Sequence, residues 1–167
     1  MNCQKPFRKV EKYCFDTFNG HTVCAGFFEE NKTAVFYDGK PLEKVPEDFV
    51  CSLKLYKSDL YIVYQRAVLK VKDIENGNFV PEDGFTVSVL DYYSYEYPQL
   101  FDFKGEKLFA HIGGRLFELD EKNDKWIEKA RFFIGEEKVR ILDDGVFEFS
   151  ANLQQDEDWN AKKVYRI

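Results

Sequence analysis

Two histidines and four cysteines are the side chains of this 167-residue chain best suited to nucleophilic or metal chemistry. The cysteines form no C-x-x-C pair and match no zinc spacing; they are Cys3, Cys14, Cys24 and Cys51. A Cys24–His21 pair is conceivable, but Gly20-His21 is typical of a hairpin turn and Cys24 of the strand that follows it. His111 lies in an otherwise apolar run and is interpreted as a hydrogen-bonded interior or channel-lining residue. We therefore expect no catalytic residue, no metal site and no cofactor.

Acidic residues occur in short clusters, and paired carboxylates could perform glycoside hydrolysis if the fold brought them together. The clusters are Glu29-Glu30, Asp120-Glu121, Asp143-Asp144 and Asp156-Glu157-Asp158. The segment from Asp120 to Asp124 superficially resembles a calcium loop, but it lacks the glycine and terminal glutamate of an EF-hand. We interpret it as a solvated turn. Since the sequence also has no P-loop, G-x-S-x-G or H-E-x-x-H motif, a carboxylate-based hydrolase is the least favoured function, and we expect no enzyme.

A tyrosine-rich segment is the most informative feature of the sequence for function. It contains four tyrosines within six residues, mixed with serine and acidic residues: Tyr92, Tyr93, Tyr95 and Tyr97. Tyrosine offers a large contact area and a hydrogen bond at a low entropic cost, as in protein-binding loops. Three of these tyrosines share a parity, so an extended strand that merely packs is the alternative. We select these four residues as candidate partner-binding residues.

Charge and composition limit the partners and the compartment. The formal net charge is −6, which disfavours nucleic acid and anionic membranes as partners. No apolar run is long enough to span a bilayer. The N-terminal residues contain no apolar segment typical of a signal peptide. We therefore expect a cytoplasmic protein whose cysteines are reduced thiols and pack as small apolar residues.

The elements that must position these residues are strands. Aromatic residues make up 17% of the chain, and they favour pleated, half-buried surfaces. Apolar and polar residues alternate with a period of two in several short runs. Asx-Gly and Gly-Gly pairs separate these runs and are typical of tight turns: Asn19-Gly20, Asp38-Gly39, Asn76-Gly77, Asp83-Gly84, Gly113-Gly114 and Asp144-Gly145.

These runs also repeat along the chain. Marker residues lie 35, 37, 47 and 33 residues apart: Phe7, Leu42, Phe79, Trp126 and Trp159. The preceding strand recurs at 34–37, 67–70, 115–118 and 145–148. Four strands are expected in the second unit, at 49–57, 60–65, 67–73 and 78–80. Four more are expected in the third, at 100–103, 107–112, 115–120 and 125–128. Four antiparallel strands in roughly 40 residues are typical of a propeller blade.

The third unit carries a resemblance to a known repeat. An apolar strand ending in Gly113-Gly114 is followed by Phe117 and then Trp126, and residues 107–130 thereby resemble a degenerate kelch-like β-propeller repeat. The resemblance implies architecture only, and no functional residue is carried over from it.

We therefore predict an all-β, small four-bladed β-propeller-like repeat protein. Residues 1–167 would form a single domain of four repeats of roughly 30–48 residues, with an N-terminal strand at 6–12 closing the ring. Closure would remove unpaired sheet edges. A closed up-and-down β-barrel of lipocalin size is the main alternative, and a half-propeller completed by dimerisation is the second.

This architecture and the tyrosine-rich segment favour a non-catalytic protein–protein interaction module or adaptor that presents loops from a rigid β scaffold to another protein. A small-ligand or carbohydrate-binding protein is the alternative, because aromatic rings stack on sugar faces and carboxylates bind hydroxyl groups.

Overall fold

Short antiparallel strands make up most of the described chain, so the expected all-β class is confirmed. The structure is a computed structural model that describes residues 12–27, 32–86, 98–112, 115–131, 136–142, 145–152 and 162–166. Within these ranges the only helix is a three-residue 3₁₀ turn, Ile74–Asn76. The chain divides into two compact units, Met1–Thr86 and Val87–Ile167, which are described separately below.

The first unit contains two four-stranded antiparallel sheets in which strand order follows chain order. The first sheet consists of β1 (Lys12–Phe18), β2 (His21–Phe27), β3 (Thr33–Tyr37) and β4 (Lys40–Pro41). The second sheet consists of β5 (Ser52–Tyr56), β6 (Asp59–Val63), β7 (Ala67–Val71) and β8 (Glu82–Thr86). Each sheet is therefore a series of hairpins, as the repeat pattern predicts.

Two of the expected Asx-Gly turns form two-residue hairpins in the first sheet. Asn19 and Gly20 connect β1 to β2 with φ values of 49° and 82°, and Asp38 and Gly39 connect β3 to β4 with φ values of 45° and 79°. These positive φ values match the right-handed twist of the adjoining strands. Because turns in an antiparallel series alternate between the two ends of a sheet, these two turns lie at the same end.

The core of the first unit lies between its two sheets, where alternate residues of each sheet meet. The first sheet contributes Val23, Ala25, Val35 and Tyr37, and the second contributes Leu53, Leu55, Leu60 and Ile62. The other face of β6 is covered as well, since Tyr61 is 2% exposed and Val63 is fully buried. Successive strand residues point to opposite faces, so β6 is buried on both sides.

The first strands of these two sheets, β1 and β5, lie next to each other. The backbone N–H of Leu55 donates to Oδ2 of Asp16 at 2.8 Å. The Lys54 ammonium lies 3.5 Å from the same oxygen. The Asp16 carboxylate therefore joins the two sheets along their first strands.

The strand expected at 78–80 and the turn expected at Asp83-Gly84 are both wrong. The fourth strand of the second sheet is β8, and Gly84 lies within it, opposite a register shift between Val68 and Lys70 of β7. A Cβ atom at Gly84 would lie 1.8 Å from the Val68 carbonyl oxygen. Glycine is needed here for close backbone approach at a bulge rather than for a turn.

The second unit also contains two antiparallel sheets. The third sheet consists of β9 (Gln99–Phe103), β10 (Lys107–Ile112), β11 (Arg115–Asp120) and β12 (Lys125–Arg131). These strands agree closely with the expected ones. The described strands of the fourth sheet are β13 (Glu136–Leu142), β14 (Val146–Asn152) and β15 (Lys162–Arg166).

Aromatic rings join the third and fourth sheets. Phe147 of β14 is fully buried, and its ring centroid lies 4.8 Å from that of Phe109 and 5.6 Å from that of Phe101. The opposite face of β10 is buried too, since Leu108 and Ala110 are fully buried. Like β6, β10 is therefore covered on both sides.

Strand β12 forms one edge of the third sheet. Its outward positions include Lys125, Ile127 and Lys129, and Ile127 is 45% exposed. The Lys129 ammonium lies 3.2 Å from Oε2 of Glu118. This ion pair is partly solvated and adds little stability, but it fixes the position of the lysine beside the apolar residue.

Three expectations about strand arrangement change. Within the described ranges none of the four sheets closes on itself, so the lipocalin-sized barrel is not found there. Residues 145–148 fall on the middle described strand of the fourth sheet and not on a third strand. Lys12 begins β1 and so does not belong to a ring-closing strand, whereas residues 6–11 lie outside the described ranges.

The cysteines differ in part from the reduced thiols that we expected. Cys24 is buried in β2 and takes part in a disulfide. Cys51 keeps its thiol and is half-buried. The disulfide removes one argument for a cytoplasmic location, since such bonds persist mainly in oxidising compartments.

Candidate functional site

Two hairpin turns of the first sheet bring a histidine and a carboxylate together, and we call this group the turn-end site: His21, Thr22, Tyr37 and Asp38. His21 is the first residue of β2, and Asp38 follows the last residue of β3. Val23 is paired with Tyr37 in the register of these strands, which places Thr22 beside Asp38. Local turn chemistry and strand register are therefore sufficient to assemble the site.

Hydrogen bonds hold the Asp38 carboxylate on both of its oxygens. Nδ1 of His21 lies 2.7 Å from Oδ2 of Asp38, and the Thr22 backbone N–H donates to Oδ1 at 2.8 Å. The Asp38 backbone N–H in turn donates to the Thr22 carbonyl oxygen at 2.8 Å. Because an ionised carboxylate only accepts hydrogen bonds, the proton in the first bond belongs to Nδ1 of His21.

The pair shifts the pKa values of both groups in favour of their charged forms. The hydrogen bond that His21 donates to Asp38 raises the pKa of His21; partial desolvation opposes this, and the charges of Asp38 and Glu75 add to it. Burial tends to raise the pKa of Asp38, but the hydrogen bonds from His21 and the Thr22 N–H outweigh it and lower that pKa. His21 is 39% and Asp38 30% exposed, so water screens much of this interaction.

Tyr37 forms the inner wall of the turn-end site. Its ring stacks on that of His21 with centroids 5.3 Å apart, and the Phe79 ring lies 6.3 Å away at a tilted angle. Tyr37 is only 5% exposed, and burial raises its pKa to about 12. Among the described residues, none forms a hydrogen bond with its hydroxyl group. A buried hydroxyl in this state loses the hydrogen bonds that water would give it.

The chemistry open to this site is proton binding and recognition. A histidine oriented by a carboxylate supplies two of the three members of a nucleophilic triad, but Cys24, which the sequence left as a conceivable partner of His21, does not supply the third. The two residues lie three positions apart on β2, which puts them on opposite faces. Cys24 is also committed to a disulfide.

The other residues selected from the sequence lie elsewhere. Tyr92, Tyr93, Tyr95 and Tyr97 fall outside the described residues, in the stretch between the end of β8 and the beginning of β9. His111 is buried on β10 at 3% exposure, which agrees with an interior role.

The acidic segment after β11 is an exposed turn, as expected. Both backbone N–H groups of Lys122 and Asn123 donate to Oδ1 of Asp120. The Asn123 amide group donates to Oδ2 at 2.7 Å. These hydrogen bonds lower the pKa of Asp120, and the one from the Asn123 side chain has the largest effect. The Glu29-Glu30, Asp143-Asp144 and 156–158 clusters lie outside the described ranges, and the described residues contain no group of three metal-ligating side chains.

Sequence reasoning missed Asp38 as the partner of His21, because it treated Asp38-Gly39 only as a turn. The positions of the two Asx-Gly pairs could have predicted the contact. An antiparallel series brings its first and third turns to one end of the sheet. The first turn is followed by His21, and the third contains Asp38. Nothing in the sequence predicts that the Tyr37 hydroxyl is buried without a hydrogen-bond partner.

Comparison with known proteins adds no family to this description, since neither a family model nor a curated protein matches the chain. In the part of the chain that the structure describes, no helix has the length and hydrophobicity needed to cross a bilayer. The site therefore has to be interpreted from its own geometry.

Proposed function

We propose that this protein is a non-catalytic interaction module that presents loops to another protein from a small four-bladed, kelch-like β-propeller. In this arrangement each of the four sheets is one blade. An N-terminal strand closes the ring beside the fourth blade, and all 167 residues form one domain.

The packing within each unit supports the propeller. In a propeller the first strand of every blade lies next to its counterpart in the adjacent blade, and β1 and β5 have this relation in the first unit. Blades also stack face to face, as the third and fourth sheets do through Phe147 and Phe109. The burial of β6 and β10 on both faces is typical of sheets enclosed between neighbours.

The observation that carries the binding role is the position of the tyrosine-rich segment. Along the sequence it follows β8 and precedes β9, so it connects one four-stranded sheet to the next. Connections between scaffold elements are where binding residues concentrate, and tyrosine is the residue type most suited to such contacts. The antiparallel sheets to which β8 and β9 belong provide the rigid support that lowers the entropic cost of binding.

A matched pair of variants tests this role. One variant replaces Tyr92, Tyr93, Tyr95 and Tyr97 by serine, and the other replaces the same four by phenylalanine. We expect the serine variant to lose the proteins that wild type retains from native extract, while the phenylalanine variant keeps most of them and both unfold near the wild-type temperature. Unchanged retention by the serine variant would refute the proposal. A large fall in its unfolding temperature would instead show that the tyrosines pack.

A second candidate function, binding of a small polar ligand or carbohydrate, is favoured by the turn-end site. It combines a half-exposed imidazole stacked on Tyr37 with the Asp38 carboxylate and a buried hydroxyl that has no partner in the described structure. Stacking rings beside hydrogen-bonding groups are typical of sugar recognition. A glycan array and thermal unfolding with soluble sugars test it, with Asp38→Asn as the variant that should lose any stabilisation.

A further inference from the structure

The turn-end site joins two hairpin turns through one titratable contact. The His21–Asp38 hydrogen bond spans from the beginning of β2 to the turn after β3, and the same carboxylate accepts the Thr22 N–H. We propose that the His21–Asp38 pair is a proton-operated latch. With His21 protonated the latch holds this end of the first sheet closed over Tyr37, and loss of the proton lets the end open.

The charges that face His21 favour its protonated form in the closed state. Asp38 lies on the β3–β4 turn, and Glu75 lies on the 3₁₀ turn of the second sheet; both are negative. Lys40 of β4 favours the ionised form of Asp38. The neutral ring of Tyr37 stacks on the imidazole and adds no charge. Protonated His21 therefore faces two carboxylates, whereas neutral His21 has only the hydrogen bond.

A force that opposes closure is present in the same site. The Tyr37 hydroxyl is buried without a hydrogen-bond partner among the described residues, and the ring that carries it stacks on the imidazole. Opening of this end would return water to that hydroxyl, so the closed state carries a desolvation cost that the open state does not. Because this cost offsets part of the free energy that favours the closed state, the change in one hydrogen-bonded charge on His21 can shift the balance between the two states.

The direction of the pH response follows from the two pKa shifts. The pKa of His21 is raised above 6.5, so its contribution is complete below that value and is lost as the pH rises through the raised pKa. The pKa of Asp38 is lowered, so its contribution is lost only as the pH falls through that lowered value. The latch is therefore strongest between the lowered pKa of Asp38 and the raised pKa of His21, and it opens as the pH rises through the pKa of His21.

Two amide groups report directly on the latch. The Thr22 N–H bonds to the Asp38 side chain, and the Asp38 N–H bonds to the Thr22 carbonyl. Hydrogen exchange followed by NMR gives their protection at each pH, after correction for the intrinsic exchange rate. The Tyr64 N–H, which donates to the Ala67 carbonyl at 2.8 Å, is the control in another hairpin.

We expect protection at Thr22 to fall as the pH rises through the pKa of His21, while protection at Tyr64 stays constant. The chain has two histidines, so a His21→Gln variant assigns the titrating signal. The Asp38→Asn variant should return the pKa of His21 towards 6.5. The fold-loss of Thr22 protection in wild type should be no greater than ten raised to that pKa difference.

Three results would overturn the latch: constant Thr22 protection across the titration, a His21 pKa that Asp38→Asn leaves unchanged, or a pH response that persists in His21→Gln. Tyr37→Phe provides an independent test, because it removes the hydroxyl that opposes closure and keeps the ring. In that variant the end should stay closed at a pH where wild type opens; opening as in wild type would also contradict the mechanism.

Discussion

Replacement of Tyr37 by phenylalanine should stabilise the protein, although it deletes a polar group and adds nothing. Tyr37 is 5% exposed, and its hydroxyl has no hydrogen-bond partner among the described residues. A buried polar group without a partner costs about 1–3 kcal/mol relative to its hydrated state. Phenylalanine keeps the ring that stacks on His21 at 5.3 Å and meets Phe79 at 6.3 Å. The change therefore removes the cost and leaves the ring contacts in place.

We expect a gain of about 1 kcal/mol in the free energy of unfolding, the lower end of that range. For a chain of this size the gain corresponds to a rise in the unfolding temperature of roughly 2–4 °C. Urea titration and calorimetry measure the two quantities. A Tyr37→Leu control deletes the ring as well as the hydroxyl. Its free energy of unfolding should be lower than that of Tyr37→Phe by about 0.5–1.5 kcal/mol for each aromatic pair that is lost. A destabilised Tyr37→Phe protein would refute the reasoning and show that the hydroxyl has a partner, such as an ordered water or a ligand.

Three further predictions concern other parts of the fold. Gly84→Ala should destabilise by roughly 1–3 kcal/mol in urea, since its Cβ would lie 1.8 Å from the Val68 carbonyl oxygen, and wild-type stability would contradict the bulge. Phe147→Ala should cost about 3–5 kcal/mol, as it empties the fully buried position between the third and fourth sheets; a loss below 1 kcal/mol would show that the sheets are not joined there. Thiol labelling of the native, unreduced protein should modify Cys51 and spare Cys24, and labelling of Cys24 without a reductant would exclude its disulfide.

The sequence predicts the positions of strands and hairpins that local patterns determine. The period-two alternation and tight turns around residues 99–131 predicted β9 to β12 nearly as they are found. Asn19-Gly20 and Asp38-Gly39 formed the expected hairpins because the positive φ of each pair is a local property.

The sequence-based predictions were wrong or incomplete where contacts between distant parts of the chain decide the role of a residue. Gly84 follows an aspartate exactly as a turn glycine does, but its role comes from the backbone of a neighbouring strand. The His21–Asp38 contact joins residues that are 17 positions apart, and it can be predicted only once β1 to β4 are placed in one antiparallel series. The state of Cys24 depends on which cysteine the fold brings to it, and spacing alone does not identify that partner.

The edge strand β12 has a consequence for the behaviour of the protein at high concentration. Its half-exposed Ile127 could start strand-to-strand aggregation, yet Lys125 and Lys129 lie two positions away on either side of it. A second chain approaching this edge would have to bring its own strand against two ammonium groups and strip water from them. These lysines act as gatekeepers, so their neutralisation should reduce solubility long before it affects folding.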